Sequence, residues 1–133
     1  MTNFNEEKFK KFINENIKNV SEEDIQKILE REKEIREKFE GNSALGKLLN
    51  DFKLLISLIK DYIKGEYKEI PWFSIAAIIV ALIYVLSPVD FIPDFIPILG
   101  YTDDAFMISL VIMMIREDLE KYKEWKIKKE LIS

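Results

Sequence analysis

The chain has 133 residues, a length typical of one domain, and its formal net charge at pH 7 is −4. Nucleic-acid-binding proteins need a concentrated basic face, so this acidic balance argues against DNA or RNA as a partner. The sequence contains no cysteine and no histidine, which excludes disulfides, Cys/His zinc sites, thiol catalysis and histidine-based triads. Any metal here would be a hard cation bound by oxygen ligands.

Hydrophobic periodicity predicts an all-α fold, because no segment alternates in the manner of a strand. About five helices are predicted, over roughly 5–19, 22–39, 44–64, 72–86 and 103–128. Ser21 and Asp24 form a capping-box pattern before the second helix. Asn42 or Ser43 caps the third helix, and Gly65 ends it. We interpret residues 1–133 as a single helical domain, with an amphipathic helical pair over 1–41 and a core over 42–133.

The fourth predicted helix, Trp72 to Leu86, is apolar on every side. Such a helix lies either at the centre of a bundle or in a bilayer. Its length of about 22 Å, or about 30 Å for the whole uncharged run Ile70 to Val89, makes spanning of a ~30 Å hydrocarbon core marginal. Trp72, Phe73 and Tyr84 lie near its two ends, where interfacial aromatic residues are common.

A second apolar run, Ala105 to Ile115, begins the fifth predicted helix and is only about 17 Å long. The sequence therefore predicts a central apolar hairpin over about 71–115, joined by a loop rich in proline and aspartate. These lengths favour a hairpin that dips into one leaflet over two full crossings. Basic residues flank the hairpin but are absent from its loop, so the positive-inside rule predicts cytoplasmic termini and a loop facing the other side.

The hairpin loop carries the most specific pattern in the chain. The segment YVLSPVDFIPDFIPILGYTDD, residues 84–104, resembles the signature of the YkvA-like family, a domain of unknown function labelled DUF1232. The matching positions are Ser87, Pro88, Asp90, Ile92, Pro93, Asp94, Ile96, Pro97, Gly100, Asp103 and Asp104. Thr102 departs from the apolar residue that is common there. The resemblance implies a bacterial, membrane-associated protein without an established activity, and a similar segment occurs in some eukaryotic ubiquitin ligases of internal membranes.

Every polar residue of the loop has a structural interpretation. Ser87 followed by Pro88 is typical of a helix start, and Gly100 suits a turn with positive φ. Three prolines, at positions 88, 93 and 97, restrict the backbone. Asp103 or Thr102 would cap the fifth helix, and Asp104 in its first turn would complement the helix dipole.

The loop also allows a cation site. If the carboxylates of Asp90, Asp94, Asp103 and Asp104 converged, they would repel one another unless Ca²⁺ or Mg²⁺ neutralised them. Their spacing does not match an EF-hand. We recognise no catalytic motif and no phosphate-binding glycine loop, so we expect no enzyme activity.

Three functional hypotheses follow from the sequence. The first is a membrane-associated, non-enzymatic module whose hairpin lies in the bilayer and whose helices over 5–39 bind a protein partner or the membrane surface. The second is a soluble, cytoplasmic helical bundle that acts as a protein-interaction domain, with the fourth helix as its buried centre. The third is a divalent-cation-binding protein that uses the aspartate loop.

Overall fold

The computed structural model describes residues 2–86 and 104–132, and in these residues the chain forms α-helices without any strand. The helices of these two ranges are α1 (Thr2–Ile17), α2 (Glu22–Glu30), α3 (Glu32–Glu40), α4 (Ser43–Gly46), α5 (Leu49–Ile63), α6 (Trp72–Leu86), α7 (Asp104–Met114) and α8 (Arg116–Ile132). The predicted all-α class is confirmed. The predicted number of about five helices is too low, because the described residues alone form eight.

The additional helices arise from short turns inside three of the predicted segments. Two of these turns are at Arg31, with φ −108° and ψ 19°, and at Ile115. The Arg31 amide still donates to the Lys27 carbonyl at 3.1 Å, and the Ile115 amide donates to Val111 at 3.0 Å. Helical hydrogen bonding therefore continues through both turns. Neither position is a glycine or proline, so the sequence gave no breaker signal there.

The helix ends follow the predicted capping residues. The backbone amide of Ser21 donates to Asp24 Oδ2 at 2.9 Å, which is the returning half of a capping box. The side chain of Asn42 accepts two backbone N–H groups of α4, at 2.9 and 3.0 Å. Gly65 follows α5 with φ +79°, a conformation in which any other residue would be strained.

Helix α6 lies at the centre of the packing. Its residues from Ser74 to Leu86 are all buried, and α1, α2, α3 and α7 pack against it. Among the helices of the described ranges, none is long and apolar enough to cross a bilayer. The expectation of a transmembrane helix therefore has no support in this part of the chain, where α6 is instead covered by protein.

Aromatic contacts fix the direction of α6 relative to its neighbours. Tyr84, near the end of α6, meets the rings of Phe9 and Phe12 of α1 at centroid distances of 6.3 and 5.9 Å. Phe9 also contacts Phe106, near the start of α7, at 4.9 Å. The end of α6 thus lies beside the start of α7, and the two helices run in opposite directions. Tyr84 is fully buried in this cluster, so its predicted position at a membrane interface is wrong.

One hydrophobic cluster extends from α1 to α8. The apolar faces of the N-terminal helices contribute to it through Ile13, Ile25, Ile35 and Phe39, all without exposed surface. The division into an N-terminal pair over 1–41 and a core over 42–133 stays a prediction.

Candidate functional site

Most of the sequence-predicted site lies outside the described residues. Ser87, Pro88, Asp90, Pro93, Asp94, Pro97, Gly100 and Asp103 all belong to this group. Asp104 is the exception: it begins α7 and is half-buried, as expected of an acidic residue in a first helical turn. Within 2–86 and 104–132, no three carboxylates are grouped closely enough to hold a metal ion. The cation site therefore stays a prediction.

The described part of the chain contains a polar cluster that the sequence analysis did not identify. It consists of Ser57 and Asp61 on α5 and of Tyr122 and Lys126 on α8, two pairs at the four-residue spacing of one helix face. The Tyr122 hydroxyl donates to Asp61 Oδ2 at 2.6 Å and lies 2.6 Å from Ser57 Oγ. Lys126 Nζ donates to Ser57 Oγ at 2.5 Å and lies 3.6 Å from Asp61 Oδ2.

Burial explains why these four side chains are tightly paired. Asp61 is only 9% exposed, and a buried carboxylate is costly unless it is hydrogen-bonded or paired with a cation. Tyr122 has no exposed surface. Burial raises the pKa of the Tyr122 hydroxyl above its usual value, and the hydrogen bond to Asp61 raises it further. Tyr122 therefore stays protonated and donates a hydrogen bond to the Asp61 carboxylate.

Aromatic rings cover one side of the polar cluster. Tyr67, in the segment after α5, contacts Tyr122 at a centroid distance of 5.1 Å and Trp125 at 5.0 Å. Burial raises the pKa of Tyr67, with Glu69 and Asp118 adding to the effect. These contacts exclude water from the Tyr122 side, which strengthens the hydrogen bonds of the cluster.

The opposite side of the polar cluster opens into a cleft of about 310 Å³. Its lining is mainly charged and comprises Glu32, Lys53, Ile56, Ser57, Lys60, Asp61, Lys64 and Lys126. Ser57 is half-buried between the cluster and the cleft. A serine hydroxyl beside a lysine can serve as a nucleophile with its base, but acyl transfer also needs donors for an oxyanion. Ser57 lies in mid-helix, where backbone N–H groups bond within α5, so α5 offers no free backbone N–H beside Ser57 for an oxyanion.

A second feature is an exposed apolar group at one end of the α6–α7 pair. Ser74 Oγ donates to Asp118 Oδ2 at 2.5 Å, which joins the start of α6 to the start of α8. Trp72, Phe73 and Met113 flank this junction and are 36%, 43% and 56% exposed. We call these three residues the apolar apex. Trp72 and Phe73 are thus exposed at a helix end, and their position at a membrane interface stays a prediction.

At the other end of α6, a lysine from α3 completes the helix. Lys38 Nζ donates to the carbonyl oxygens of Val85 at 3.0 Å and of Leu86 at 2.8 Å. Terminal carbonyls lack helical partners and carry the negative end of the helix dipole, so a cation is well placed there. This contact attaches α3 to the C-terminal end of α6.

A weak signal for the cleft was present in the sequence. Lys53, Ser57, Lys60 and Lys64 follow one another at spacings of four, three and four, which predicts a single polar stripe on α5. The hydrogen bonds of Ser57 with Tyr122 and Lys126 join residues more than sixty positions apart, and no local pattern encodes them.

The hairpin geometry coincides with the region that matches a known family. Residues 74–110, which include almost all of α6 and the first half of α7, match the model of a protein family of unknown function, DUF1232. The resemblance to the DUF1232 family is confirmed. The chain is also 27% identical over 81 residues to the uncharacterized membrane protein YkvA of Bacillus subtilis (strain 168), covering 61% of this chain and 76% of that protein. No solved structure matches the chain at a significant level.

Proposed function

We propose that this DUF1232-like protein is a membrane-associated helical module that binds the bilayer surface through the apolar apex. The observation that carries the proposal is the exposure of Trp72, Phe73 and Met113 at one end of a hairpin whose remaining α6 surface is buried. The name of the Bacillus subtilis relative, a membrane protein, supports the class of function.

The chemistry of the apex suits the bilayer interface. Tryptophan and phenylalanine bury large apolar surfaces, and aromatic residues are enriched at the level of the lipid head groups. Burying the exposed parts of the three side chains is worth on the order of 3 kcal/mol. Such a contribution gives reversible binding, comparable with that of one short acyl chain, and not permanent insertion.

Charge beside the apex would add to this affinity. Arg116 is exposed at the start of α8, within three residues of Met113. A basic side chain near an anionic leaflet contributes about 1 kcal/mol. Attraction to the anionic inner leaflet agrees with the predicted cytoplasmic location of both termini.

A second candidate function is recognition of a protein partner by a helical bundle. It is favoured by the burial of α6 from Ser74 to Leu86 under other helices. Because the apolar faces of α1–α3 pack on α6, such a partner would recognise their charged outer faces. Vesicle flotation bears on this function too. If the protein binds no vesicles, partner recognition, including the predicted partner contact of helices 5–39, is the function that remains.

Flotation with phosphatidylcholine–phosphatidylglycerol vesicles tests the proposal. The variant Trp72→Ser/Phe73→Ser should lose most of its vesicle binding. The control variant Ile127→Ser/Leu131→Ser removes two more exposed apolar side chains, 57% and 80% exposed on α8, and should float as the unmodified protein does. Equal flotation of the two variants would refute membrane binding through the apex. If the unmodified protein binds no vesicles, partner recognition is the function that remains.

A further inference from the structure

The polar stripe of α5 borders the cleft and brings four lysines together. Lys53, Lys60 and Lys64 come from α5 and its C-cap, and Lys126 comes from α8. Ser57 lies between them on the same stripe. Every one of these residues lines the same cleft of about 310 Å³, a volume in the range of small-ligand sites.

The cleft is more positive than the chain as a whole. Its two carboxylates are already engaged: Glu32 Oε1 lies 3.0 Å from Lys60 Nζ, and Asp61 accepts the Tyr122 hydroxyl and pairs with Lys126. In the described ranges, Lys53 and Lys64 have no carboxylate within 4.0 Å. Four ammonium groups thus exceed two carboxylates in a protein whose net charge is −4.

An anion in the cleft would offset the charges of Lys53 and Lys64, the two lysines of the cleft that no carboxylate of the described residues pairs. Lys60 and Lys64 are four residues apart, a spacing at which like charges destabilise a helix. The Ser57 hydroxyl accepts from Lys126 and, because Tyr122 donates to Asp61, donates its own proton to Tyr122. The groups left to recognise phosphate oxygens are therefore the ammonium groups of the lysines.

We propose that the cleft is a binding site for a phosphate group, contacted by the ammonium groups of Lys53 and Lys64. The phosphate could belong to a soluble phosphorylated compound or to a lipid head group. The lipid source rests on the proposed membrane function. The soluble source does not depend on membrane binding.

Two binding measurements on the full chain separate these sources. The first is calorimetric titration with inorganic pyrophosphate, and the second is flotation with phosphatidylglycerol-containing and pure phosphatidylcholine vesicles. The cleft variant is Lys53→Gln/Lys64→Gln. The control variant is Lys33→Gln/Lys121→Gln, which removes the same charge from exposed positions on α3 and α8 outside the cleft lining.

We expect the cleft variant to lose about tenfold or more in affinity, and the control variant to lose little. Selective loss of pyrophosphate binding identifies a soluble phosphate as the ligand class. Selective loss of phosphatidylglycerol-dependent flotation, without pyrophosphate binding, identifies a lipid head group. Equal losses in both variants, or no binding of either probe by the unmodified protein, would overturn the site. The variant Trp72→Ser/Phe73→Ser removes the apex and leaves the cleft lysines unchanged, so its pyrophosphate binding tells failure of the two proposals apart.

Discussion

Tyr122 on α8 donates a hydrogen bond of 2.6 Å to Asp61 on α5, and neither side chain is more than marginally exposed. This bond satisfies a buried carboxylate and fixes α8 against α5. It also fixes the Tyr122 hydroxyl that Ser57 contacts, and Ser57 in turn accepts a hydrogen bond from Lys126. The stability of the α5–α8 contact and the shape of the cleft depend on the same hydroxyl.

The variant Tyr122→Phe should destabilise the protein by about 1–3 kcal/mol, because it removes one phenolic hydroxyl and leaves the buried Asp61 carboxylate with fewer partners. Urea unfolding measures the change. Tyr62→Phe is the matched control, since Tyr62 is half-buried on α5 and its hydroxyl makes no hydrogen bond within the described residues. Similar free energies of unfolding for the two variants would contradict the assigned role of Tyr122.

Alkaline pH should weaken the fold through the same hydroxyl. The pKa of Tyr122 is raised in the folded protein above its usual value of 10.0, chiefly by burial. A raised pKa means that the unfolded chain releases this proton first, so the stabilisation is complete below about pH 10 and declines as pH rises further. Urea unfolding between about pH 9 and pH 11 should show a steeper loss for the unmodified protein than for Tyr122→Phe. Parallel pH profiles would argue against this linkage.

Removal of the lysine that completes α6 should also be costly. Lys38→Met abolishes two charge-assisted bonds to the Val85 and Leu86 carbonyls and should lower the free energy of unfolding by about 1–3 kcal/mol. Lys33→Met changes an exposed lysine of the same helix and should cost less than about 0.5 kcal/mol. Thermal or urea unfolding compares them, and a Lys38 variant as stable as its control would contradict the capping contact.

A charge in the centre of α6 distinguishes a protein core from a lipid-facing surface. Ile79→Asp places an unpaired carboxylate at a position with no exposed surface, at a cost comparable with the whole stability of a small domain. We expect loss of cooperative unfolding in circular dichroism. Ile127→Asp, at a position that is 57% exposed, should fold normally. A folded Ile79→Asp protein would show that α6 is not enclosed by its neighbours.

Local signals were sufficient to predict the helices and their caps. Ser21 and Asn42 satisfy backbone N–H groups through short-range contacts, Gly65 ends α5, and the continuous apolar run predicts the bounds of α6. The turns at Arg31 and Ile115 could not be predicted, because hydrogen bonding continues through them and no breaker residue occurs there.

Long-range pairings were beyond the reach of sequence patterns. Tyr84 was placed at an interface because it is aromatic and near a helix end, whereas its contacts with Phe9 and Phe12 place it in the core. The polar cluster could not be predicted for the same reason. Periodicity identifies the face on which Ser57 lies, but it does not show that Tyr122 and Lys126 face it across the bundle.

The most direct test of membrane binding is the fluorescence of Trp72 itself. The chain has two tryptophans, so Trp125→Phe leaves Trp72 as the single reporter. Vesicles that contain phosphatidylcholine with brominated acyl chains quench an indole that enters the bilayer. We predict a blue shift of the Trp72 emission and quenching that depends on bromine, whereas an unchanged spectrum at saturating lipid would contradict the membrane-binding role of the apex.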